Sequence, residues 1–129
     1  MTVFFRRTVP ILRIFDITKA LEFYVDYLGF KVDWEHRYAA GLPVYLQVSR
    51  DGLTLHLSEH HGDATPGSAV YVEADGVGEL HAELSARNYP YLKPGLEEDS
   101  QVGTVLELTD PFGNRLRLVQ PDSVHSGDA

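Results

Sequence analysis

His56, Glu107, Arg115 and Arg117 are the side chains on which chemistry would have to rest, together with the run Glu59-His60-His61. The sequence contains no cysteine, which removes thiolate metal sites, disulfides and thiol nucleophiles and leaves His, Asp, Glu, Ser and Tyr. An imidazole beside a carboxylate, as His56 with Glu107, is a base pair suited to a metal-free lyase or isomerase. The same groups also suit a site that only binds. Tyr45 offers a flat face and a hydroxyl, Gln47 and His56 offer hydrogen bonds, and Glu107 with Arg115 and Arg117 offers mixed charge. A third arrangement needs no ligand: Glu107 and Arg117 pair across neighbouring strands with His56 hydrogen-bonded beside them. Glu59, His60 and His61 read as a solvated polar patch, since a metal ion needs three or four converging ligands. The sequence has neither a glycine-rich phosphate loop nor a Gly-x-Ser-x-Gly elbow.

These groups need strands to hold them. Residues 104–119 carry two alternating runs joined by Asp110-Pro111-Phe112-Gly113-Asn114: an Asx acceptor, a proline that presets φ, then Gly and Asn able to take positive φ. That pattern predicts a β-hairpin. Leu106, Leu108, Leu116 and Leu118 share one parity and Glu107, Arg115 and Arg117 the other, so the leucines pack inward and the charges face away. Val44, Leu46 and Val48 alternate with Tyr45, Gln47 and Ser49; beyond an Asp51-Gly52 turn, Leu53, Leu55 and Leu57 alternate with Thr54, His56 and Ser58. This is a second hairpin with Tyr45, Gln47, Thr54 and His56 on its polar face. Parity also predicts that the polar faces of both hairpins line one cavity, to which Val9, Ile11 and Ser68 add small surfaces.

Residues 9–15 read as a strand and Asp16 as the N-cap of a helix over 17–28, with Ala20, Leu21, Tyr24, Val25 and Leu28 at helical spacing and Gly29 ending it. Residues 30–38 read as a strand carrying Trp34 and Tyr38, rings suited to stacking on a planar ligand. Residues 68–74 repeat the strand, Asp75 the cap, and residues 78–88 the helix, with Leu80 and Leu84 inward. Residues 89–101 read as a short strand bearing Tyr89 and Tyr91 plus a loop, and 121–129 as a frayed tail. The order is β-α-β-β-β twice, and an offset of 59 pairs Asp16 with Asp75, Ile11 with Val70, Leu21 with Leu80, Val25 with Leu84 and Phe30 with Tyr89. The 129 residues make one domain, with modules over 9–58 and 68–120.

Composition narrows the setting. A 43% hydrophobic, 23% charged chain is ordinary for a globular protein. No apolar run approaches the roughly 20 residues that span a bilayer. The first eight residues lack an apolar segment after their arginines, so a cytoplasmic location is expected. A formal net charge of −8 disfavours nucleic acid and anionic membranes as partners and favours cationic ones. Glu35, Glu59, Glu73, Glu97, Glu98 and Asp99 could form a negative rim, although each alone reads as a solvated surface group.

With Phe15-Asp16-Ile17-Thr18-Lys19-Ala20-Leu21-Glu22-Phe23-Tyr24 and Leu28-Gly29-Phe30, with Leu53-Thr54-Leu55-His56-Leu57, and with Thr109-Asp110-Pro111-Phe112-Gly113-Asn114, the chain resembles the vicinal oxygen chelate superfamily. That superfamily includes glyoxalase I, extradiol dioxygenases and the bleomycin and fosfomycin resistance proteins. The resemblance covers residues 9–120 and implies an α+β fold: two β-α-β-β-β modules forming a curved mixed sheet, helices outside, a ligand cup inside, commonly a homodimer. In metal-dependent members one side chain from the first and one from the last strand of each module hold a divalent ion. Carried over, those places are Val9, His56, Ser68 and Arg117. Val9 has no donor atom, Ser68 is a poor ligand and Arg117 would repel a cation, so no metal or other cofactor is expected.

These vacated places, together with Val9-Pro10-Ile11-Leu12, residues 21–24 and the 110–114 turn, are similar to the bleomycin resistance proteins. Those proteins do no chemistry; they sequester a cationic glycopeptide antibiotic in clefts shared between two subunits. The resemblance therefore implies a non-catalytic binder of bleomycin-family antibiotics. Its expected ligand-binding residues are Trp34, Tyr38, Tyr45, Gln47, His56, Glu107, Arg115 and Arg117. The alternatives are a glyoxalase-like lyase, isomerase or dioxygenase-type enzyme, and a binder of an endogenous metabolite.

Overall fold

The computed structural model describes residues 2–122, so most of the expected tail lies outside the described residues. Strand β1 (Ile11–Arg13) leads into helix α1 (Ile17–Leu21). Asp16 caps α1 as expected: its extended backbone lets the carboxylate accept from the Lys19 N–H at 3.2 Å. The helix then widens into a π-helical stretch over Glu22–Tyr27, with the Leu28 N–H donating across five residues to the Phe23 carbonyl at 2.9 Å. A continuous α-helix would turn Leu21 and Val25 inward. The extra residue per turn instead buries Phe23, Tyr24, Tyr27 and Leu28 beside Ala20, and leaves Leu21 and Val25 half-buried. Phe23 and Tyr24, neighbours in sequence, thereby share the core and meet edge to face at 4.8 Å.

Strands β2 (Lys31–His36), β3 (Tyr45–Arg50) and β4 (Leu53–Ser58) complete the first module. The sheet order is β1-β4-β3-β2, with β1 parallel to β4 and the other pairs antiparallel. Asp51, at φ +51°, makes the expected turn between β3 and β4. The second module repeats the plan with β5 (Ala69–Glu73), α2 (Val77–Ser85), β6 (Leu96–Asp99), β7 (Gly103–Thr109) and β8 (Arg115–Gln120), in sheet order β5-β8-β7-β6. The opening hairpin of the sequence reading is β7 and β8.

Three expectations are corrected. The first strand and helix of each module match at a spacing of 60 rather than 59: the helices begin at Ile17 and Val77, and just before them the Ile14 and Ala74 N–H groups each donate at 2.9 Å to the last strand of their own module. Leu84 thus corresponds to Tyr24, not Val25. Asp75 does not cap α2. The N-cap residue is Gly76, left-handed at φ +72°, and the Gly76 and Val77 N–H groups donate to Gln120 Oε1 at 3.1 Å each. Tyr89 and Tyr91 lie on the loop before β6, not on a strand, because Pro90 and Pro94 withhold the donors a ladder needs. Tyr89 stacks on Tyr27 at 4.5 Å and meets Tyr91 edge-on at 5.5 Å.

The parity reading holds for the core. Leu46, Val48, Leu55 and Leu57 from one sheet and Leu106, Leu108, Leu116 and Leu118 from the other are buried in a single cluster with the helices. A fully buried side chain of this kind contributes about 1.5–3 kcal/mol. Polar links also cross between modules. The Tyr24 hydroxyl donates to Asp110, Asn114 Nδ2 donates to the Arg13 carbonyl, and Arg50 forks onto Glu83 at 3.0 and 3.1 Å.

Candidate functional site

On the face of the first sheet opposite the leucines, three predicted residues form one hydrogen-bonded chain. The register sets Gln47 opposite His56, with Tyr45 opposite Ser58 one step along the same face. The Tyr45 hydroxyl donates to His56 Nδ1 at 2.7 Å, His56 Nε2 donates to Gln47 Oε1 at 3.0 Å, and Gln47 Nε2 donates to Asp33 Oδ2 at 3.0 Å. This tautomer is assigned from the bonding, and it requires a neutral ring. Burial, and then the positive charge of Arg7, lower the His56 pKa from its ordinary value. Burial and the charge of Asp63 raise that of Tyr45, so its hydroxyl remains a donor.

Trp34 lies parallel to Tyr45, ring centroids 6.0 Å apart at 9°, and meets His56 edge-on at 5.3 Å. It is 43% exposed, so the stack forms a shelf open on one side. A bulge in β2 puts it there: pairing passes from Val32 opposite Val48 to Trp34 opposite Gln47, and both Asp33 and Trp34 reach the polar face. Tyr38 is 80% exposed beyond the end of β2 and contacts His36, not this network.

The second sheet carries the remaining predicted residues. Glu107 faces Arg117 across β7 and β8 and accepts from Arg117 Nε at 3.2 Å and Arg115 Nη1 at 3.3 Å. One carboxylate is thus shared by two guanidinium groups, leaving the set net positive. His56 does not sit beside this pair, nor does it meet Glu107 as a general base, because the two residues belong to different sheets. Among the described residues no hydrogen bond or ion pair joins the Trp34–Tyr45–His56–Gln47 set to the Glu107–Arg115–Arg117 set. Strand parity told which face each residue takes. It did not tell which sheet, and a single chain does not bring the two faces together as one cup.

Two further residues belong to the first polar face. Asp33 anchors the far end of the hydrogen-bonded chain; Gln47 and then Ser49, by donating to it, hold its pKa below the usual carboxylate value. Strict alternation assigns it the face opposite Trp34, so only the bulge reveals it. Arg13 pairs in register with Ser58 on β4, is nine-tenths buried, and places its guanidinium carbon 4.6 Å from the Phe15 ring centroid. A lone charge within the apolar residues 9–15 was its signal in the sequence.

A family model described as glyoxalase superfamily protein matches residues 1–124. The chain belongs to the glyoxalase superfamily. The bleomycin-binding protein from bleomycin-producing Streptomyces verticillus, solved with copper(II)-bleomycin, is similar at 28% identity and a TM-score of 0.67, over 94% of this chain and 100% of that one. The bleomycin resistance determinant encoded on transposon Tn5 is similar at 21% identity and a TM-score of 0.68, over 92% and 99%. TnmS3, an antibiotic binding protein from Streptomyces sp. CB03234, is similar at 24% identity and a TM-score of 0.67, over 91% and 98%. No curated protein matches the chain by sequence.

The residues at the places that hold an ion in metal-dependent members of the superfamily do not fit one. Val9 has no donor atom, Ser68 Oγ is spent on the Thr65 carbonyl at 3.1 Å, both ring nitrogens of His56 are engaged, and Arg117 is a cation paired with Glu107. Among the described residues no group of three His, Asp or Glu is placed to hold an ion. Elemental analysis of the purified protein is expected to show no stoichiometric Zn, Ni, Mn or Fe. One equivalent of metal that disappears in His56→Ala would overturn that expectation.

Proposed function

We propose that this member of the glyoxalase superfamily is a non-catalytic small-molecule binding protein that sequesters a bulky, cationic, hydrogen-bonding antibiotic of the bleomycin family. The observation that carries the reading is the open Trp34–Tyr45 shelf backed by a spent His56. The shelf offers flat aromatic area to a planar ring system. Its histidine, bonded at both nitrogens, has neither a free lone pair for a metal nor a contact with Glu107 for base catalysis. The likeness to antibiotic-binding proteins, 28% in one case, and the net charge of −8 support the same reading.

The polar faces of the two sheets are brought together by a homodimer, in which the second sheet of one subunit faces the first sheet of the other. Light scattering is expected to give about twice 14.4 kDa at micromolar concentration. Trp34 is the sole tryptophan, so its fluorescence reports the shelf directly. Titration with a bleomycin-type antibiotic should quench it with a Kd below roughly 10 μM, near −7 kcal/mol, and the drug should be recovered chemically unchanged. Glu107→Gln should weaken binding about fivefold, a loss near 1 kcal/mol, because it frees two guanidinium charges toward a cationic ligand. Glu97→Gln, on β6, should have no such effect. No saturable binding at tens of micromolar, or turnover of the ligand, would refute the proposal.

A further inference from the structure

Beside the buried leucines of β7 and β8 the two modules do not close completely on one another. A crevice of about 740 Å3 opens between the two modules on that side, within the roughly 300–1,000 Å3 range of small-molecule sites. Its floor is apolar and drawn from both modules: half-buried Leu53 from the first and half-buried Val72 and Leu80 from the second lie over the buried Phe30, Leu116 and Leu118. Its rim is acidic, with Asp51 on one side and Glu73, Asp75 and Glu79 on the other.

Among the described residues that line the crevice, Arg50 is the single cation, and it is already committed. It forks onto Glu83 and also donates to the Leu28 carbonyl at 2.7 Å. That clamp holds the first module to α2 at one end of the opening. Glu73, Asp75 and Glu79 have no cationic group within 4.0 Å among the described residues. A low-dielectric floor below uncompensated carboxylates focuses a negative potential at the mouth. An anion entering it is repelled. A neutral hydrocarbon gains the floor alone, whereas a cation with a hydrocarbon body gains floor and rim together.

We propose that the intermodule crevice is a second binding site, for an amphiphilic organic cation of the alkylammonium or arylammonium class. It is separate from the polar faces. Leu116 lines the crevice from the same strand on which Arg115 and Arg117 point the other way, so a ligand here lies against the reverse side of the second sheet.

The test uses the full chain with methyl-labelled leucines, titrated in parallel with hexyltrimethylammonium, hexanol and hexyl sulfate. The ammonium compound should give saturable shifts centred on Leu53, Leu80 and Leu118, about fivefold tighter than hexanol, which is about 1 kcal/mol, and hexyl sulfate should bind more weakly than either. The double substitution Asp75→Asn with Glu79→Gln, at exposed surface positions, should reduce the ammonium compound to the level of hexanol and leave hexanol unchanged. Arg117→Ala, on the reverse face, should alter neither. Equal binding of hexanol and the ammonium compound, shifts centred outside the crevice, or no saturation overturns the site. The probes contain no antibiotic and the readout is not at Trp34, so failure here leaves the reading of the polar faces standing.

Discussion

Replacing Asp110 with alanine should cost about 3–5 kcal/mol of folding stability, since it strands several donors away from water at once. The side chain is buried and accepts four hydrogen bonds. They come from the Tyr24 hydroxyl at 2.7 Å, the Phe112 and Asn114 N–H groups at 2.8 Å each, and Asn114 Nδ2 at 2.9 Å. The same Asn114 amide donates to the Arg13 carbonyl, so the turn between β7 and β8 is fastened to the first module by this carboxylate and by the amide it orients. Graded variants separate the parts. Tyr24→Phe removes one donor and leaves Asp110 three, costing about 1 kcal/mol. Asp110→Asn keeps the volume but turns one acceptor into a donor facing other donors, and should fall between the two. Urea denaturation at one fixed protomer concentration reads the series as a falling midpoint at constant slope. A midpoint for Asp110→Ala within error of the parent's would show that the turn is held by something other than this carboxylate.

Gly103→Ala should be comparably damaging, by about 3 kcal/mol from backbone strain together with overlap. Gly103 opens β7 at φ +118°, and a Cβ there would stand 2.2 Å from the Gln120 carbonyl oxygen and 2.9 Å from the Pro121 Cα. Both obstacles are backbone, so neither can swing aside. The strand ends would have to part where Thr104 pairs with Gln120, and Gln120 also caps α2. Hydrogen exchange should therefore speed up at the Gly76 and Val77 amides along with the fall in stability. Gly52→Ala is the matched control: a Cβ there meets nothing within 4 Å, and a change under about 1 kcal/mol is expected for a surface site free of strain. Equal effects of the two substitutions would sink the argument.

The sequence was most legible where a period and a turn signal coincided. Both hairpins, their leucine faces and the helix beginning at Ile17 could be read because alternation and the Asp16 cap act within a few residues. Periodicity failed at Glu22–Tyr27, where one wider turn shifts the buried set from Val25 to Phe23 and Tyr27. No local signal distinguishes a π-helical turn from an α-helical one, since tertiary packing of two adjacent aromatics supplies the compensation. Asp75 looked like a cap by the rule that served Asp16, but the partner for those amides came from Gln120. At the candidate site, side-chain parity placed Tyr45, Gln47 and His56 together correctly. Asp33 was hidden by a bulge, and the separation of His56 from Glu107 is a property of sheet topology that no alternation pattern contains.

The two helix caps also have different histories during synthesis on the ribosome. Asp16 and Lys19 leave the exit tunnel within three residues of each other, so α1 has its cap almost as soon as it has its first turn. The amides of Gly76 and Val77 have no such neighbour, and their acceptor is at the end of the last strand. Until Gln120 has been added, the second helix starts with two donors that only water can satisfy. The first module can therefore cap its helix before the second module has been made, whereas the second caps its own only when its last strand, β8, has emerged.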